Sequence, residues 1–434
     1  MTSAAKAPAS DDRAPSKATL FLQRAFSVLV LGVFLLAVLS RDLAFSDTMR
    51  NAVRWAAFFG LFLGLAFSWL IRQGGGGFSW VEPLVWAFLG VGLIATLNNG
   101  NNVGGGLTTL AGFVGIYLMA FHLELSAHPA RTIAVWTWSL LAVFAATVLL
   151  SLIVALRYQG TWDDNRFQGI TWNPNTLGAF AALLMTGAVA RSLEKGASYR
   201  LGWILLGLVG AVSLFLTQSR TALLSGVAGL IVVAILRGKW LFLLGMVLLL
   251  GLYVGARSAS TSLSLGEHGV LDLGVREVGL ETRAVIWHEQ WEVWMEEPWL
   301  GQGLQVDKES GHGRRGAEGG YLELLGGVGI LGTVPLVLAW LIAATRLALW
   351  ARRVERGHDC SSDGYHLAAA GIVVALLVHA IGEGYLSGLW AEESVYFWMV
   401  VGAACRLRPL RPIAPESKLL HLKERSAERV IAAV

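Results

Sequence analysis

The chain of 434 residues is 55% hydrophobic and only 15% charged. With a mean hydropathy of +0.58, this excludes an ordinary soluble domain, in which about a quarter of residues are charged. The net charge of +4 does not point to nucleic acid, because Lys and Arg fall in short clusters between apolar blocks, as orientation signals do. Cys360 and Cys405 lie far apart and support neither a disulfide framework nor a Cys-based metal site.

Residues 1–18 are polar, small and Pro-containing, the composition of a disordered cytoplasmic tail. No small-residue cleavage site precedes a return to polar sequence, which argues against a cleaved signal peptide. Apolar blocks follow over roughly 21–40, 52–71, 79–97, 106–125, 133–156, 176–193, 199–216, 221–237, 240–256, 320–345, 365–384 and 391–406. Each has the length of a tilted spanning helix. The expected fold is all-α: a polytopic membrane bundle of about twelve transmembrane helices, with its backbone polar groups satisfied within helices. Residues 19–256 carry the first nine spans, 257–319 a large loop, 320–406 the last three spans and 407–434 a polar tail.

One alternating set of loops holds Arg72, Arg131, Arg191, Lys195, Arg200, Arg237, Lys239, Arg346, Arg352, Arg353 and Arg356, and the tail adds Arg406, Arg408 and Arg411. The positive-inside rule puts that set and both termini in the cytoplasm. The opposite face carries the long loops 157–175 and 257–319, and loops of that length are usually functional. Within the larger one, 281–297 reads as an amphipathic helix, closed by Pro298 and Gly301. Trp287, Trp291 and Trp294 recur at i, i+4 and i+7, and Arg283 lies one turn before Trp287 on the same face. Such a helix lies in the membrane interface, or its Trp stripe packs the loop onto the bundle; the two are compatible.

No phosphate-binding Gly-rich loop, metal-ligand spacing or nucleophile elbow is present. The candidates are polar residues at outward helix ends, where ionisable groups are costly. Arg220 sits in Thr217-Gln218-Ser219-Arg220-Thr221 between two apolar blocks, at phosphate depth; interfacial snorkelling also accounts for it. Arg283 is the second cation. The run from Gly311 to Glu323 supplies His312 or Glu318 as a candidate base, with Arg314, Arg315 and Tyr321; a solvated charge pair also accounts for the two arginines. Arg166, Asn173 and Asn175 mark the shorter outer loop, where Pro174 suits a first helical turn capped by Asn173. Glu383, one turn after His379, reads as a site residue or as half of a buried contact between helices. Fixed arginines suit a lipid-linked diphosphate, whose bridging oxygen gains charge as it leaves, while a carboxylate or imidazole deprotonates the attacking sugar hydroxyl.

The ordered set Arg166-Phe-Gln-Gly-Ile-Thr-Trp-Asn-Pro-Asn175, Ser219-Arg220-Thr221-Ala222, Arg283-Ala-Val-Ile-Trp287, Pro298-Trp-Leu-Gly-Gln-Gly303 and Tyr321-Leu-Glu-Leu-Leu-Gly-Gly-Val-Gly-Ile-Leu-Gly332 resembles the bacterial O-antigen ligase and polymerase superfamily, and looks most like an O-antigen ligase. The resemblance implies a multi-pass protein of the bacterial inner membrane with a periplasmic site. It implies an undecaprenyl diphosphate-linked glycan as donor, a sugar of the lipid A core as acceptor, and no metal, nucleotide or other cofactor. Arg220 and Arg283 would hold the diphosphate, with Ser219, Trp287 and the outer-loop residues lining the substrate. In place of the usual His-Asn-x-Tyr-Leu, this chain has Glu318-Gly319-Gly320-Tyr321-Leu322. Either Glu318 is the base, or His312 reaches in, or the position has been altered. A polymerase shares the donor site. A secondary transporter would place its ligand groups near the midplane rather than at the outer boundary.

Overall fold

The structure, a computed structural model, describes residues 56, 59–63, 66, 79–98, 103–123, 129–157, 161–163, 166–171, 173–195, 197–239, 280–304, 319–356, 364–384 and 392–407, the side chains of 280–284 and 392 excepted. Ten α-helices appear among them: α1 (Glu82–Asn98), α2 (Val103–Leu118, continued by a π turn at Met119–Leu123), α3 (Pro129–Ala155), α4 (Pro174–Leu193), α5 (Arg200–Thr217), α6 (Arg220–Arg237), α7 (Leu280–Glu296), α8 (Gly320–Glu355), α9 (His366–His379) and α10 (Glu392–Arg406). Six of the described helices are long and apolar enough to cross a membrane. The expected blocks 79–97 to 221–237, and the three from 320 onward, each fall on one helix. The blocks 21–40 and 240–256, residues 1–18 and residues 408–434 lie outside the described residues.

The helix ends segregate into two sets, as alternating spans require. At one end, α4, α6, α8 and α9 meet around buried charge. Glu355 Oε2 pairs with Arg237 at 2.5 Å and Oε1 lies 2.9 Å from His366 Nε2. Glu194 pairs with Arg191 and accepts the backbone N–H groups of Tyr365 (2.8 Å) and Leu367 (2.9 Å) at the start of α9. A second group at this end joins α1 to α2: the buried Glu82 accepts the Tyr117 hydroxyl at 2.7 Å, and His122 Nε2 lies 2.8 Å from that hydroxyl. Between the two ends, helices approach closely on small residues. A Cβ at Gly229 of α6 would lie 2.7 Å from Gly371 O and 3.1 Å from Ala375 Cβ of α9, so these antiparallel helices touch backbone to backbone. Trp136, Trp340 and Trp398 fill the buried centre.

Helix α8 has 36 residues, so straight it would run about 54 Å. Its ends are nevertheless held against the two ends of α9, a 14-residue helix about 21 Å long, through Glu355–His366 and through Gly320 N–H to Ala380 O at 2.9 Å. Both contacts hold because α8 turns back at Gly329 (φ 59°, ψ −168°), a region open essentially to glycine alone. The turn removes the bonds that a continuous helix makes from Ile330 and Leu331 N–H to Gly326 and Gly327 O. Segment 298–303 replaces both. Pro298 O and Trp299 O accept from Ile330 (2.9 Å) and Leu331 (3.2 Å), while Gln302 and Gly303 N–H donate to Gly326 O (2.7 Å) and Gly327 O (2.9 Å). Four backbone groups that would be expensive to bury alone are thereby satisfied by one strap. Gly301 (φ 71°) passes so close that a Cβ there would lie 2.5 Å from the Gly327 carbonyl carbon.

Candidate functional site

At the end opposite the buried charges, the shorter long loop, 157–175, carries a two-residue-per-strand ladder, with Trp162 opposite Phe167 and Asp163 opposite Arg166. The 3-10 turn Gly169–Thr171 then leads into α4. Asn173 caps α4 through its side-chain oxygen, which accepts from Asn175 N–H at 2.8 Å, and Pro174 occupies the first turn, where its missing donor is harmless. Arg166 reaches across from this loop. Its Nε donates to Thr217 O at 3.1 Å, and its NH2 donates to Asn175 Oδ1 at 2.7 Å. It therefore ties the start of α4 to the end of α5.

Thr217 closes α5, and the next two residues make the turn into α6. Gln218 sits in the left-handed region (φ 52°), unusual for a residue with a Cβ. Ser219 is buried, and its Oγ has no hydrogen-bond partner among the described residues. Arg220 is the first residue of α6 and is exposed, at the positive end of the helix dipole. Gly178 lets the turn sit on α4: a Cβ there would lie 2.6 Å from Ser219 Cβ and 2.9 Å from Thr217 Oγ1. Arg166, Asn173, Asn175, Ser219 and Arg220 thus form one cluster.

A second cluster forms where α8 begins. Gly320 N–H donates to Ala380 O (2.9 Å) and Glu383 O (3.2 Å), which seats the start of α8 on the end of α9. The Tyr321 hydroxyl donates to Leu377 O at 2.9 Å, so it fastens α8 to α9. Helix α7 lies over this joint. A Cβ at Gly319 would be 3.3 Å from both Trp287 Nε1 and Gln290 Oε1 and 3.6 Å from Ile381 O. The antiparallel register that sets Gly229 against Gly371 and Ala375 runs the start of α6 alongside the end of α9. Arg220, Glu383, Gly319 and α7 therefore gather at one corner of the bundle. Arg283 is on α7, one turn before Trp287; its side chain lies outside the described residues, as do His312, Arg314, Arg315 and Glu318.

The face of α7 turned to the bundle differs from the Trp stripe. Ile286 is buried, Val293 Cγ1 faces Gly326 and Gln290 faces Gly319, with Trp287 and Trp294 flanking them. Trp291 (47% exposed), Met295 (55%) and Trp299 (64%) point outward. The helix thus packs on one side and offers aromatic surface on the other. Gln290 was not signalled by the stripe, although its i+3 spacing from Trp287 places it on that flank. The Trp294 indole does not face substrate space but donates to Pro298 O at 3.1 Å.

Residues 204–337, from α5 into α8, match the family model described as O-antigen ligase. The match supports membership of the O-antigen ligase and polymerase superfamily. Together with the six apolar helices long enough to cross a membrane, it supports a multi-pass bacterial membrane protein of O-antigen assembly. The matched stretch holds Ser219, Arg220, Arg283, Trp287, both strap partners and the start of α8, whereas Arg166, Asn173, Asn175 and Glu383 lie outside it. No curated protein matches the chain.

Proposed function

We propose that this superfamily member is an O-antigen ligase. It acts as a metal-independent glycosyltransferase that moves a glycan from undecaprenyl diphosphate to a sugar of the lipid A core. In this reading the chain crosses the inner membrane about twelve times, the arginine-rich loops and both termini are cytoplasmic, and the site is periplasmic. The observation that carries it is the corner where Arg220, on the first turn of α6, adjoins the joint of α7, α8 and α9. A guanidinium that stays charged, at a helix N-terminus and at the end of the spans, suits the diphosphate of a lipid carrier.

Arg220 and Arg283 hold the diphosphate. The acceptor hydroxyl attacks the anomeric carbon, and the bond from that carbon to the phosphate oxygen breaks. The carrier diphosphate departs with the bonding electrons, and its developing charge is met by the two cations. The hydroxyl proton passes to Glu318 or His312. Arg166, Asn173 and Asn175 shape the wall behind Arg220, while Trp287, Arg314, Arg315, Tyr321 and Glu383 border the acceptor side. The test is transfer by the purified protein from undecaprenyl diphosphate glycan. Product on lipid A core, lost in Arg220→Ala and Arg283→Ala, is expected. Product only as lengthened lipid-linked glycan would make the chain a polymerase, and transfer undiminished in both variants would refute the diphosphate clamp.

A further inference from the structure

Helix α7 carries Arg283, Trp287 and Gln290, and the hydrogen bonds described between it and strap 298–303 lie at its far end. Gln302 of the strap is bonded to both neighbouring helices at once. Its backbone N–H donates to Gly326 O of α8 at 2.7 Å. Its side-chain Nε2 donates to Val293 O (3.2 Å) and Glu296 Oε2 (2.5 Å) of α7. Trp294 adds a bond to the strap at Pro298 O, and Gly301 N–H donates to Glu297 O at 2.8 Å. The clamp thus closes the last turn of α7 onto the turn in α8. From Val293 to Arg283 is ten residues, about 15 Å along the helix, so a rotation of only about 4° at the clamp moves the Arg283 backbone by about 1 Å.

We propose that strap 298–303 is a positioning device for the donor-binding helix, with Gln302 as its decisive side chain. The catalytic consequence rests on the ligase reading. Gln302 acts through the angle of α7, because its amide is occupied by Val293 O and Glu296. Displacements of about 1 Å cost up to roughly 100-fold in rate where geometry is the means of catalysis. No other strap residue joins α7 by its side chain and α8 by its backbone among the described residues.

The experiment uses the full-length protein in nanodiscs, with Cys360 and Cys405 replaced by alanine and the pair Val293→Cys/Gly326→Cys introduced. A Cβ at Gly326 would lie 3.6 Å from Val293 Cγ1, close enough for a disulfide. Oxidation should link the pair promptly with Gln302 present and many-fold more slowly in Gln302→Ala. Transfer from the lipid-linked donor should fall roughly 10- to 100-fold in Gln302→Ala. Oxidising the pair should restore it, and reductant should abolish it again. Neither a folding defect nor a lost substrate contact is repaired by such a lock. Equal cross-linking rates with and without Gln302 overturn the proposal, as does lost transfer that the disulfide leaves unrestored. If the unmodified protein transfers nothing, the ligase reading fails, and the cross-linking rates still decide the clamp.

Discussion

Glu194 and Leu367 stand 173 residues apart in sequence and meet in a hydrogen bond of 2.9 Å, with the Glu194 carboxylate capping the first turn of α9 from the end of α4. The other oxygen takes Tyr365 N–H and Arg191, while His366 Nδ1 lies 3.8 Å from the oxygen that caps Leu367. Glu194→Ala strands a guanidinium and two helix N–H groups in a buried place, at a cost of about 3–5 kcal/mol. The thermal midpoint of the detergent-solubilised variant should drop clearly, and Glu194→Gln, which keeps an acceptor, should fall between. An unchanged midpoint in Glu194→Ala would show that the cap contributes nothing.

Gly329 and Gly90 make a matched pair of tests. At Gly329 a Cβ would lie 2.2 Å from Trp299 O, and the backbone angle alone costs a side chain about 1–3 kcal/mol. At Gly90, on α1, a Cβ meets nothing within 4 Å. Gly329→Ala should yield little folded protein by size-exclusion chromatography. Gly90→Ala should match the unmodified protein or gain up to about 1 kcal/mol. Comparable yields from the two would contradict the strap.

Arg166 holds the turn before Arg220 with a fork that lysine cannot reproduce. Each charge-assisted bond is worth about 1.5–3 kcal/mol. Arg166→Ala and Arg166→Lys should both lower transfer, by roughly 10- to 100-fold, while membrane insertion persists. Full activity in Arg166→Lys would mean that charge, rather than the bridge from Asn175 to Thr217, is what the position needs.

Gly178 sets how closely the Ser219 turn lies on α4. Gly178→Val drives a side chain into Ser219 and Thr217 and should cost about 1–3 kcal/mol of stability. Transfer should fall further than the midpoint shift explains, because Arg220 moves with the turn. Stability and turnover measured on one preparation separate the two effects.

Much of this was legible in the sequence where the governing interaction is local. Asn173 and Pro174 announced their cap because capping acts over three residues. The expected helix at 281–297 lies one residue from Leu280–Glu296, since amphipathic period and terminal Pro298 and Gly301 are local signals. The block at 320–345 stopped at the first arginine, whereas α8 continues to Glu355, because Arg352 and Arg353 are good helix formers and Glu355 is paired with Arg237 and His366. What could not be read is what arrives from elsewhere. The turn at Gly329 is invisible in a glycine-rich run until the strap is seen against it. The buried cluster of Glu194, Glu355 and His366 draws on segments up to 172 residues apart. The bundle-facing edge of α7 follows Gln290 and Val293 because Gly319 and Gly326 leave room there, a fact about α8 rather than about α7.

The strap also imposes an order of assembly. Residues 298–303 precede Gly326–Leu331, so the piece that completes α8 leaves the ribosome before α8 does. A helix whose backbone pairing depends on an earlier segment cannot reach its final shape as an autonomous insertion unit. It completes its backbone pairing only by closing on a segment synthesised before it.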